Sequence, residues 1–266
     1  MNNYEGVEDT LFIPLTARIN ISKRFPEYFY DKKALEMEYL IKNSSIEKKS
    51  SEYTLMASVS RNHNLDEITQ NFIDKHEKCN IVNLGVGLET SYFRLNRKDS
   101  LFYEVDLPEV IDLRQKYIKA GENEKYIKGD LFELEWCNEL DTTIPTLMIA
   151  SGVFQYFHEK DILSFIDNIK SIFEKAELVF DATNKFGIKY SNIYVKRTGN
   201  KSALMYFYIK NPKEFAKKCN CELIECRGFY KDALGLLSKK LGIYTKISMK
   251  IADRQKNAMI ITLKIS

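Results

Sequence analysis

A short apolar run that leads directly into Gly85-Val86-Gly87 constrains the fold more than any other feature of the chain. Glycine has no Cβ, so a Gly-x-Gly turn lets the backbone bend sharply and come close to a ligand. The next apolar run ends at Asp106, at the distance where doubly wound sheets carry an acid that binds ribose hydroxyls. Together the two signals predict a nucleoside-binding crevice, and the alternative is a structural turn with a helix-capping aspartate.

Apolar runs and amphipathic stretches alternate from Cys79 onward, and the apolar runs have the length of strands. Such alternation predicts a mostly parallel sheet covered by helices on both faces. The clearest helical stripe lies in residues 162–173, at the spacing of a helix that packs on a sheet. The predicted strands are residues 81–84, 101–105, 126–128, 146–150, 178–181, 222–226 and 258–265.

Residues 1–78 have a different pattern, with mixed charge and helical periodicity, and we interpret them as an N-terminal helical cap. Within them, Asn64 and Glu67 have the spacing of a capping box, which predicts that a helix begins at Asn64. Residues 79–266 then form an α/β domain with a Rossmann-like sheet. Its aromatic stretch 182–210 fits neither a plain strand nor a plain helix, which predicts a lid insertion at about residues 182–215.

The charge balance argues against a nucleic-acid or membrane partner. The chain has 40 basic and 37 acidic side chains and a net charge of +3, although a balanced total can hide a local basic patch. The sequence has no apolar run long enough to span a bilayer, and its first ten residues do not resemble a secretory signal. The five cysteines contain no Cys-x-x-Cys pair, so we expect reduced thiols, no metal site and a cytoplasmic location.

The cofactor class follows from a missing glycine. Thr90 stands where a dinucleotide fingerprint places its third glycine, which lets a helix approach a pyrophosphate. This disfavours NAD and FAD and favours a cofactor that has a ribose but no phosphates, such as S-adenosylmethionine. Asp130, after the third predicted strand, could accept from an adenine amino group, or it could equally be a helix N-cap.

Five stretches of the chain resemble the leucine carboxyl methyltransferase family, whose members are class I S-adenosylmethionine-dependent methyltransferases. The resemblance covers residues 10–185, and the early Thr-Ala-Arg and the Glu-Val-Asp-Leu-Pro strand end are its specific parts. The stretches are Thr16-Ala17-Arg18 with Lys23-Arg24-Phe25-Pro26, Val82-Asn83-Leu84-Gly85-Val86-Gly87, Tyr103-Glu104-Val105-Asp106-Leu107-Pro108, Gly129-Asp130-Leu131, and Ala150-Ser151-Gly152-Val153-Phe154-Gln155-Tyr156.

The resemblance implies a set of S-adenosylmethionine-binding residues. Arg18 and Arg61 would bind the methionine carboxylate, because a guanidinium meets a carboxylate in two parallel hydrogen bonds. The family usually has an acid where this chain has Ser151, which can hydrogen-bond but supplies no negative charge near the sulfonium. The remaining implied contacts are Gly85 and Gly87 to the methionine part, Asp106 with Leu107 to the ribose, and Asp130 with Leu131 to the adenine.

The function implied by the resemblance is O-methyl transfer, with a small-molecule carboxylic acid of polyketide type or a protein C-terminus as acceptor. A carboxylate, with a pKa near 4, is ionised at neutral pH and needs no general base, whereas a phenol, with a pKa of about 10, would need one. The sequence therefore assigns no catalytic residue; Tyr156 could line the substrate pocket or the core, and His158 is more typical of a helix start. Two alternatives remain, namely a weakly active or inactive relative that binds a ligand and, less favoured, an NAD-dependent oxidoreductase.

Overall fold

A seven-stranded sheet forms the centre of the protein, and the computed structural model describes residues 7–41, 50–189, 192 and 204–266. Every strand expected from the sequence is present, with ends that differ by at most a few residues. The strands are β1 Asn80–Leu84, β2 Leu101–Asp106, β3 Glu124–Lys128, β4 Thr146–Ala150, β5 Ala176–Ala182, β6 Glu222–Gly228 and β7 Met259–Lys264.

The strand order is β3-β2-β1-β4-β5-β7-β6. The five strands from β3 to β5 are parallel, and β7 is antiparallel to both of its neighbours, β5 and β6. The chain runs outward from β1 in one direction and then returns to begin β4 on the other side. In open α/β sheets, ligands bind beyond the carboxyl ends of the strands at such a reversal, which here lies between β1 and β4.

The helices cover both faces of the sheet, as expected for buried parallel strands. The predicted stripe at residues 162–173 is confirmed: it lies on the helix Glu159–Ile172, which buries Ile162, Phe165, Ile166 and Ile169. The helices are α1 Val7–Arg24, α2 Lys32–Glu36, α3 Glu52–Lys75, α4 Ser91–Arg94, α5 Pro108–Tyr117, α6 Glu159–Ile172, α7 Pro212–Lys218, α8 Lys231–Leu236 and α9 Ile243–Arg254.

The first helices share a core with the sheet. Ile21 on α1 and Val59 on α3 belong to the same buried cluster as Ile81 on β1 and Phe102 on β2. Each of these buried side chains stabilises the folded state by roughly 1.5–3 kcal/mol. This packing fixes α1 and α3 against one face of the sheet, so side chains on these helices reach the strand ends.

The expectation that a helix begins at Asn64 is wrong. Helix α3 begins at Glu52, where the Ser51 side chain accepts a hydrogen bond from Thr54 N at 3.1 Å, and it continues through Asn64. Asn64 is buried and donates instead to the carbonyl oxygens of Ser60 and Phe229 at 2.7 and 2.9 Å. The capping-box pattern misled because a buried tertiary partner satisfies the asparagine in mid-helix.

The predicted lid region is only partly described. Residues 185–189 are helical, whereas 190–191 and 193–203 lie outside the described residues, as does the whole polar stretch 42–49 between α2 and α3. Phe207 is buried, with its ring centroid 5.5 Å from that of Phe215 on α7. The division into a cap and a domain with a lid stays a prediction.

Across the described residues, none of the helices combines the length and the apolar character that a membrane crossing requires.

Candidate functional site

The turn after β1 adopts a conformation that requires both of its glycines. Gly85 and Gly87 have φ values of +66° and +53°, in the left-handed region that favours glycine. A Cβ at Gly85 would lie 2.5 Å from Val153 Cγ2, and a Cβ at Gly87 would lie 2.9 Å from Leu11 Cδ2. Gly85 N donates to Val105 O at 2.8 Å. The turn therefore has no room for a side chain at either glycine, because Val153 and Leu11 pack closely against its backbone.

Asp106 joins the two halves of the predicted crevice. Its Oδ2 accepts from Gly87 N at 2.8 Å and its Oδ1 accepts from Leu107 N at 2.8 Å. Burial raises the pKa of Asp106, against the lowering effect of these two backbone hydrogen bonds. Carboxylate oxygens have spare lone pairs, so the group can still accept from ligand hydroxyls. Leu107, beside it, is 43% exposed at the edge.

Asp130 and Leu131 follow β3 at the same edge of the sheet. Gly129 N donates to Asp106 O at 2.9 Å, which links this turn to the end of β2. The Asp130 side chain is exposed and accepts from Phe132 N at 2.8 Å, as in an Asx turn, whereas Leu131 is buried. The structure thus brings the two predicted adenine residues close to Asp106, with one Asp130 oxygen engaged by the turn.

Arg18 lies beside the glycine turn and is fully buried in a network of hydrogen bonds. Its Nη2 donates to Leu88 O at 2.6 Å, and its Nη1 lies 2.5 Å from Thr90 Oγ1, 3.2 Å from Asp31 Oδ2 and 3.3 Å from Glu89 Oε1. Its Nε has no partner among the described residues. Arg18 therefore lies beside the glycine turn, and protein groups already occupy its two Nη atoms.

A second arginine extends the Arg18 network. Arg94, on α4, makes two parallel hydrogen bonds to Asp66 at 2.7 and 2.8 Å and contacts Asp31 and Glu89 at 2.7 Å. Burial tends to raise the pKa of Glu89, but Arg18 and Arg94 together lower it to about 2. The network ties α1, α3 and α4 to the segment that follows the glycine turn.

Arg61, on α3, lies at a different corner, where β4 and β5 end. Its Nη1 is 3.3 Å from Asp181 Oδ2, and a methyl group at Gly152 would lie 2.8 Å from that same nitrogen. Its side chain is 16% exposed, and its buried Nε has no partner among the described residues. Asp181 also accepts from Gly152 N at 2.5 Å through Oδ1. Arg61 thus keeps donors free for a further acceptor.

The turn after β4 carries the two remaining predicted residues. Ser151 is half-buried and precedes Gly152, whose φ of +73° favours glycine. Tyr156 is half-buried on a short 3₁₀ turn, Phe154–Tyr156, while Phe154 packs into the core. Tyr206 N donates to Gln155 O at 2.7 Å, so the far end of the predicted lid region returns to this turn.

Among the described residues, His158 makes no hydrogen bond or ion pair with the groups at the strand ends. It is exposed at the N-cap of α6, where its backbone N donates to Asp161 Oδ2 at 3.3 Å, and its ring is tilted against that of Tyr206, with the centroids 4.5 Å apart. This agrees with its interpretation as a helix-start residue.

Sequence reasoning missed Arg114, which holds the glycine turn from below. This fully buried residue of α5 donates through Nη1 to Gly87 O at 3.2 Å and Glu89 O at 2.6 Å, and through Nη2 to Glu124 Oε1 at 3.0 Å. Burial raises the pKa of the neighbouring Glu104 to about 8, despite the positive charge of Arg114. An arginine in an amphipathic helix gives no sequence signal for this role.

Sequence reasoning also missed Asp181, although a signal existed. Asp181 is near the end of β5, as Asp106 is at the end of β2, and the rule that selected Asp106 applies equally to it. It supplies a carboxylate at the corner where Ser151 supplies none.

Two other places in the described chain lie apart from these residues. A cavity of about 630 Å³, lined by His76, Glu77, Lys78, Asp99 and Pro145, lies at the opposite edge of the sheet, where the strands begin. His63, Glu67 and Asp232 are close enough to share a metal ion, but Glu67 is already bonded to Arg227 at 3.0 Å. Neither place adjoins the glycine turn, and the absence of a metal site stays a prediction.

Comparison with known proteins gives a consistent set of relatives. A family model for leucine carboxyl methyltransferases matches residues 16–170. The tetracenomycin polyketide synthesis O-methyltransferase TcmP of Streptomyces glaucescens is 24% identical over 218 residues, which are 80% of this chain and 79% of that protein. Leucine carboxyl methyltransferase 1 of Bos taurus is 23% identical over 172 residues, 51% of this chain and 52% of that protein.

Among solved structures, a DUF574 family protein from Streptomyces avermitilis superposes with a TM-score of 0.58 at 11% identity. The superposition covers 94% of this chain and 96% of that one, so the two share the whole fold.

Proposed function

The chain belongs to the leucine carboxyl methyltransferase family and is an S-adenosylmethionine-dependent methyltransferase, and from this we propose that it methylates the carboxylate of a small organic acid. The observation that carries the proposal is the composition of the strand ends. The groups there are Asp106, Asp130, Asp181 and Arg61, and in the described part of the chain no hydrogen bond or ion pair joins a histidine to any of them. An ionised carboxylate needs no base to become a nucleophile, whereas a phenol does.

The described residues fit the cofactor of this family. Arg61 offers a buried Nε that has no partner among the described residues, at the ends of β4 and β5, and the glycine turn offers backbone without side chains of its own at Gly85 and Gly87. We propose that Gly85 and Gly87 lie against the methionine part of the cofactor, Asp106 with Leu107 against the ribose, and Asp130 with Leu131 against the adenine. Arg61 would bind the methionine carboxylate.

The family resemblance implies the same role for Arg18 and Arg61, whereas we propose different roles for them. Because protein acceptors occupy both Nη atoms of Arg18, we propose that Arg18 acts mainly by holding the segment after the glycine turn, with only its Nε left for a ligand. Its direct contact with the cofactor stays a prediction. Ser151 would hydrogen-bond within the same corner, where Asp181 provides the negative charge.

S-adenosylmethionine supplies, when bound, a methyl group on a positively charged sulfur that is already a good electrophile. The residues of the chain therefore have to align the acceptor oxygen with the methyl carbon and keep water away, which can contribute several kcal/mol of rate enhancement. Tyr156 and the returning segment at Tyr206 lie at the end of β4 where an acceptor would enter, and we propose that they line its pocket.

Methyl transfer to defined acceptors tests this proposal directly. Purified protein is incubated with S-adenosylmethionine that carries a labelled methyl group and with aromatic carboxylic acids, matched phenols, or a peptide that ends in leucine. We expect label in base-labile methyl esters of the acids and in none of the phenols. Labelled phenol ethers or a labelled peptide C-terminus alone would contradict the proposed acceptor. An Asp106→Ala variant, which should lose cofactor binding, serves as the control.

A weakly active relative that only binds ligands is the second candidate, because Ser151 replaces the acid usual in the family. Calorimetry with S-adenosylmethionine separates the two: binding without turnover of any acceptor would favour the second candidate. The Asp181 carboxylate, hydrogen-bonded to Gly152 in this corner, supports the active enzyme.

A further inference from the structure

The solvent-facing side of α9 carries a row of exposed aliphatic side chains. Ile243, Ile247 and Ile251 follow one another at a spacing of four residues and are 73%, 53% and 47% exposed, and Tyr244 beside them is 74% exposed. At about 100° per residue, this row lies opposite the side of the helix that buries Thr245, Met249 and Ala252. A surface helix normally turns polar residues to solvent. Helix α9 differs, because it carries apolar residues on its exposed side as well as on its buried side.

Basic residues predominate in the segment that carries this row, although one of them, Lys240, is paired with Glu27. Residues 238–256 contain six basic side chains and one acidic one, a net charge of +5, while the whole chain has +3, so the rest of the chain carries −2. The single acid, Asp253, points inward, where it accepts from Phe229 N at 3.0 Å and Tyr230 N at 3.1 Å. Lys250 and Arg254 are exposed and lie on the same side of the helix as the isoleucines. The balanced total charge therefore conceals a concentrated basic, apolar face.

From this combination we propose that the exposed face of α9 docks onto the surface of an anionic lipid bilayer. Interfacial helices bind by burying aliphatic side chains at the boundary of headgroups and acyl chains while Lys and Arg contact anionic headgroups. The long stems of Lys250 and Arg254 can lie along the isoleucines with their charged ends at the headgroups. Leu236, 56% exposed on the adjoining helix α8, adds to the apolar surface.

A second copy of the chain fits this face less well. A twofold dimer would place the face against itself, so Lys250 and Arg254 of one copy would oppose the same residues of the other. Protein interfaces are also depleted of lysine and rely on aromatic and arginine anchors seated in complementary pockets, whereas α9 presents a convex row of isoleucines. A bilayer needs no shape complementarity and supplies the opposite charge.

The face lies near the edge of the sheet that carries the candidate site. At its start, Gly242 N donates to Glu52 Oε1 at 2.9 Å, and Glu52 begins α3 nine residues before Arg61. At its end, Asn257 O accepts from Thr183 Oγ1 at 2.6 Å, directly after β5. Docking through α9 would therefore hold the carboxyl ends of the strands near the bilayer.

Vesicle flotation with the full chain tests the proposal. Vesicles of phosphatidylcholine alone and of phosphatidylcholine with about 30% phosphatidylglycerol are mixed with the protein at low and at physiological salt, and the bound fraction is measured. We expect the anionic vesicles to bind at least about tenfold more strongly than the neutral ones, and salt to weaken that binding. Equal binding to both vesicle types, or none, would overturn the proposal.

Variants locate the binding on α9. The triple variant Ile243→Ser, Ile247→Ser and Ile251→Ser should lower vesicle affinity by about tenfold or more, and so should Lys250→Glu with Arg254→Glu. Two controls match these variants. Ile13→Ser is compared with the single variant Ile247→Ser, since both residues are exposed on helices. Lys213→Glu with Lys217→Glu on α7 is compared with the α9 charge pair, because it has the same spacing and the same change of charge.

Two experimental results with these variants would contradict lipid docking at α9. One is a pair of α7 variants that lose binding as much as the α9 pair, which would indicate an unspecific charge effect. The other is sedimentation showing a dimer that the isoleucine variants dissociate, which would assign the face to self-association. Circular dichroism and thermal melting of each variant confirm that folding is retained.

Discussion

Arg18 and Arg61 are both arginines of the first helices that reach the carboxyl edge of the sheet, and their surroundings differ sharply. Arg18 is 1% exposed, with both Nη atoms bonded to the protein, whereas Arg61 is 16% exposed and has a single carboxylate partner. A buried arginine with satisfied donors mainly holds structure together, whereas one with open donors can bind a ligand. Residue type and motif alone do not distinguish these roles.

Replacement of Arg18 should have the largest effect on stability. Arg18→Met leaves Asp31 and Glu89 with one fewer positive partner in a buried site, and breaking such a pair costs about 3–5 kcal/mol. Urea unfolding followed by circular dichroism measures the free energy of unfolding. Arg24→Met, at an arginine that is 49% exposed, is the control and should cost less than about 1 kcal/mol. An Arg18 variant of normal stability that no longer binds S-adenosylmethionine would reverse the assignment.

Replacement of Arg61 should instead act on binding. A charge-assisted hydrogen-bonded pair contributes about 1.5–3 kcal/mol, so Arg61→Met should weaken S-adenosylmethionine binding by roughly 10- to 100-fold in calorimetry. The free energy of unfolding should fall by about 1–2 kcal/mol, less than for Arg18→Met, because Asp181 keeps its hydrogen bond from Gly152. The comparison fails if the two arginine variants lose affinity and stability in the same proportion.

Glu104 extends the comparison to Arg114, a third arginine at the glycine turn. The pKa of Glu104 is about 8 in the folded protein, above its ordinary value of 4.5. Between pH 4.5 and pH 8 the folded state therefore binds a proton that the unfolded state has released. Its contribution to stability is present below about pH 4.5 and is lost as pH rises through about 8. Glu104→Gln should flatten that decline, which we expect to be about 2 kcal/mol between pH 6 and 8 in denaturant unfolding. A wild-type profile that rises over this range would contradict the assignment.

Asp130 should show the smallest effect and gives a baseline for an exposed predicted ligand residue. Its side chain is exposed and already engaged by Phe132 N, so Asp130→Ala should weaken S-adenosylmethionine binding no more than about threefold, with unchanged stability. A loss approaching that of Arg61→Met would show that Asp130 binds the adenine more strongly than its exposure indicates.

The sequence was sufficient for the order of strands and helices and for the glycine turn, because both depend on local pattern. Alternating apolar runs set the sheet, and Gly85 and Gly87 are needed by their own backbone angles. The sequence did not predict the roles of Arg114 and Asn64, because both depend on distant partners. Arg114 donates to the carbonyl oxygens of Gly87 and Glu89. Asn64 donates to the carbonyl oxygen of Phe229, 165 residues away. Patterns within a few residues contain no record of such contacts.

The family resemblance gave Arg18 and Arg61 the same expected role and did not distinguish between their surroundings. Their difference arises from Asp31, Thr90 and Leu88, which come from three places in the chain and meet only in the folded state. Asp181 could have been predicted from the sequence, because it lies near a strand end as Asp106 does. Finding it requires a search for acids at the ends of all the strands.

The antiparallel β7 has a consequence for how the protein is made. Among the described residues, β6 has no neighbour in the sheet other than β7, and β7 also covers the outer edge of β5, so residues 259–264 join two elements that are synthesised earlier. A nascent chain emerging from the ribosome must therefore keep an open, largely apolar strand edge until these residues are free of the exit tunnel. During that interval the unfinished protein is a natural client for chaperones, and a premature stop before residue 259 would leave an edge prone to aggregation.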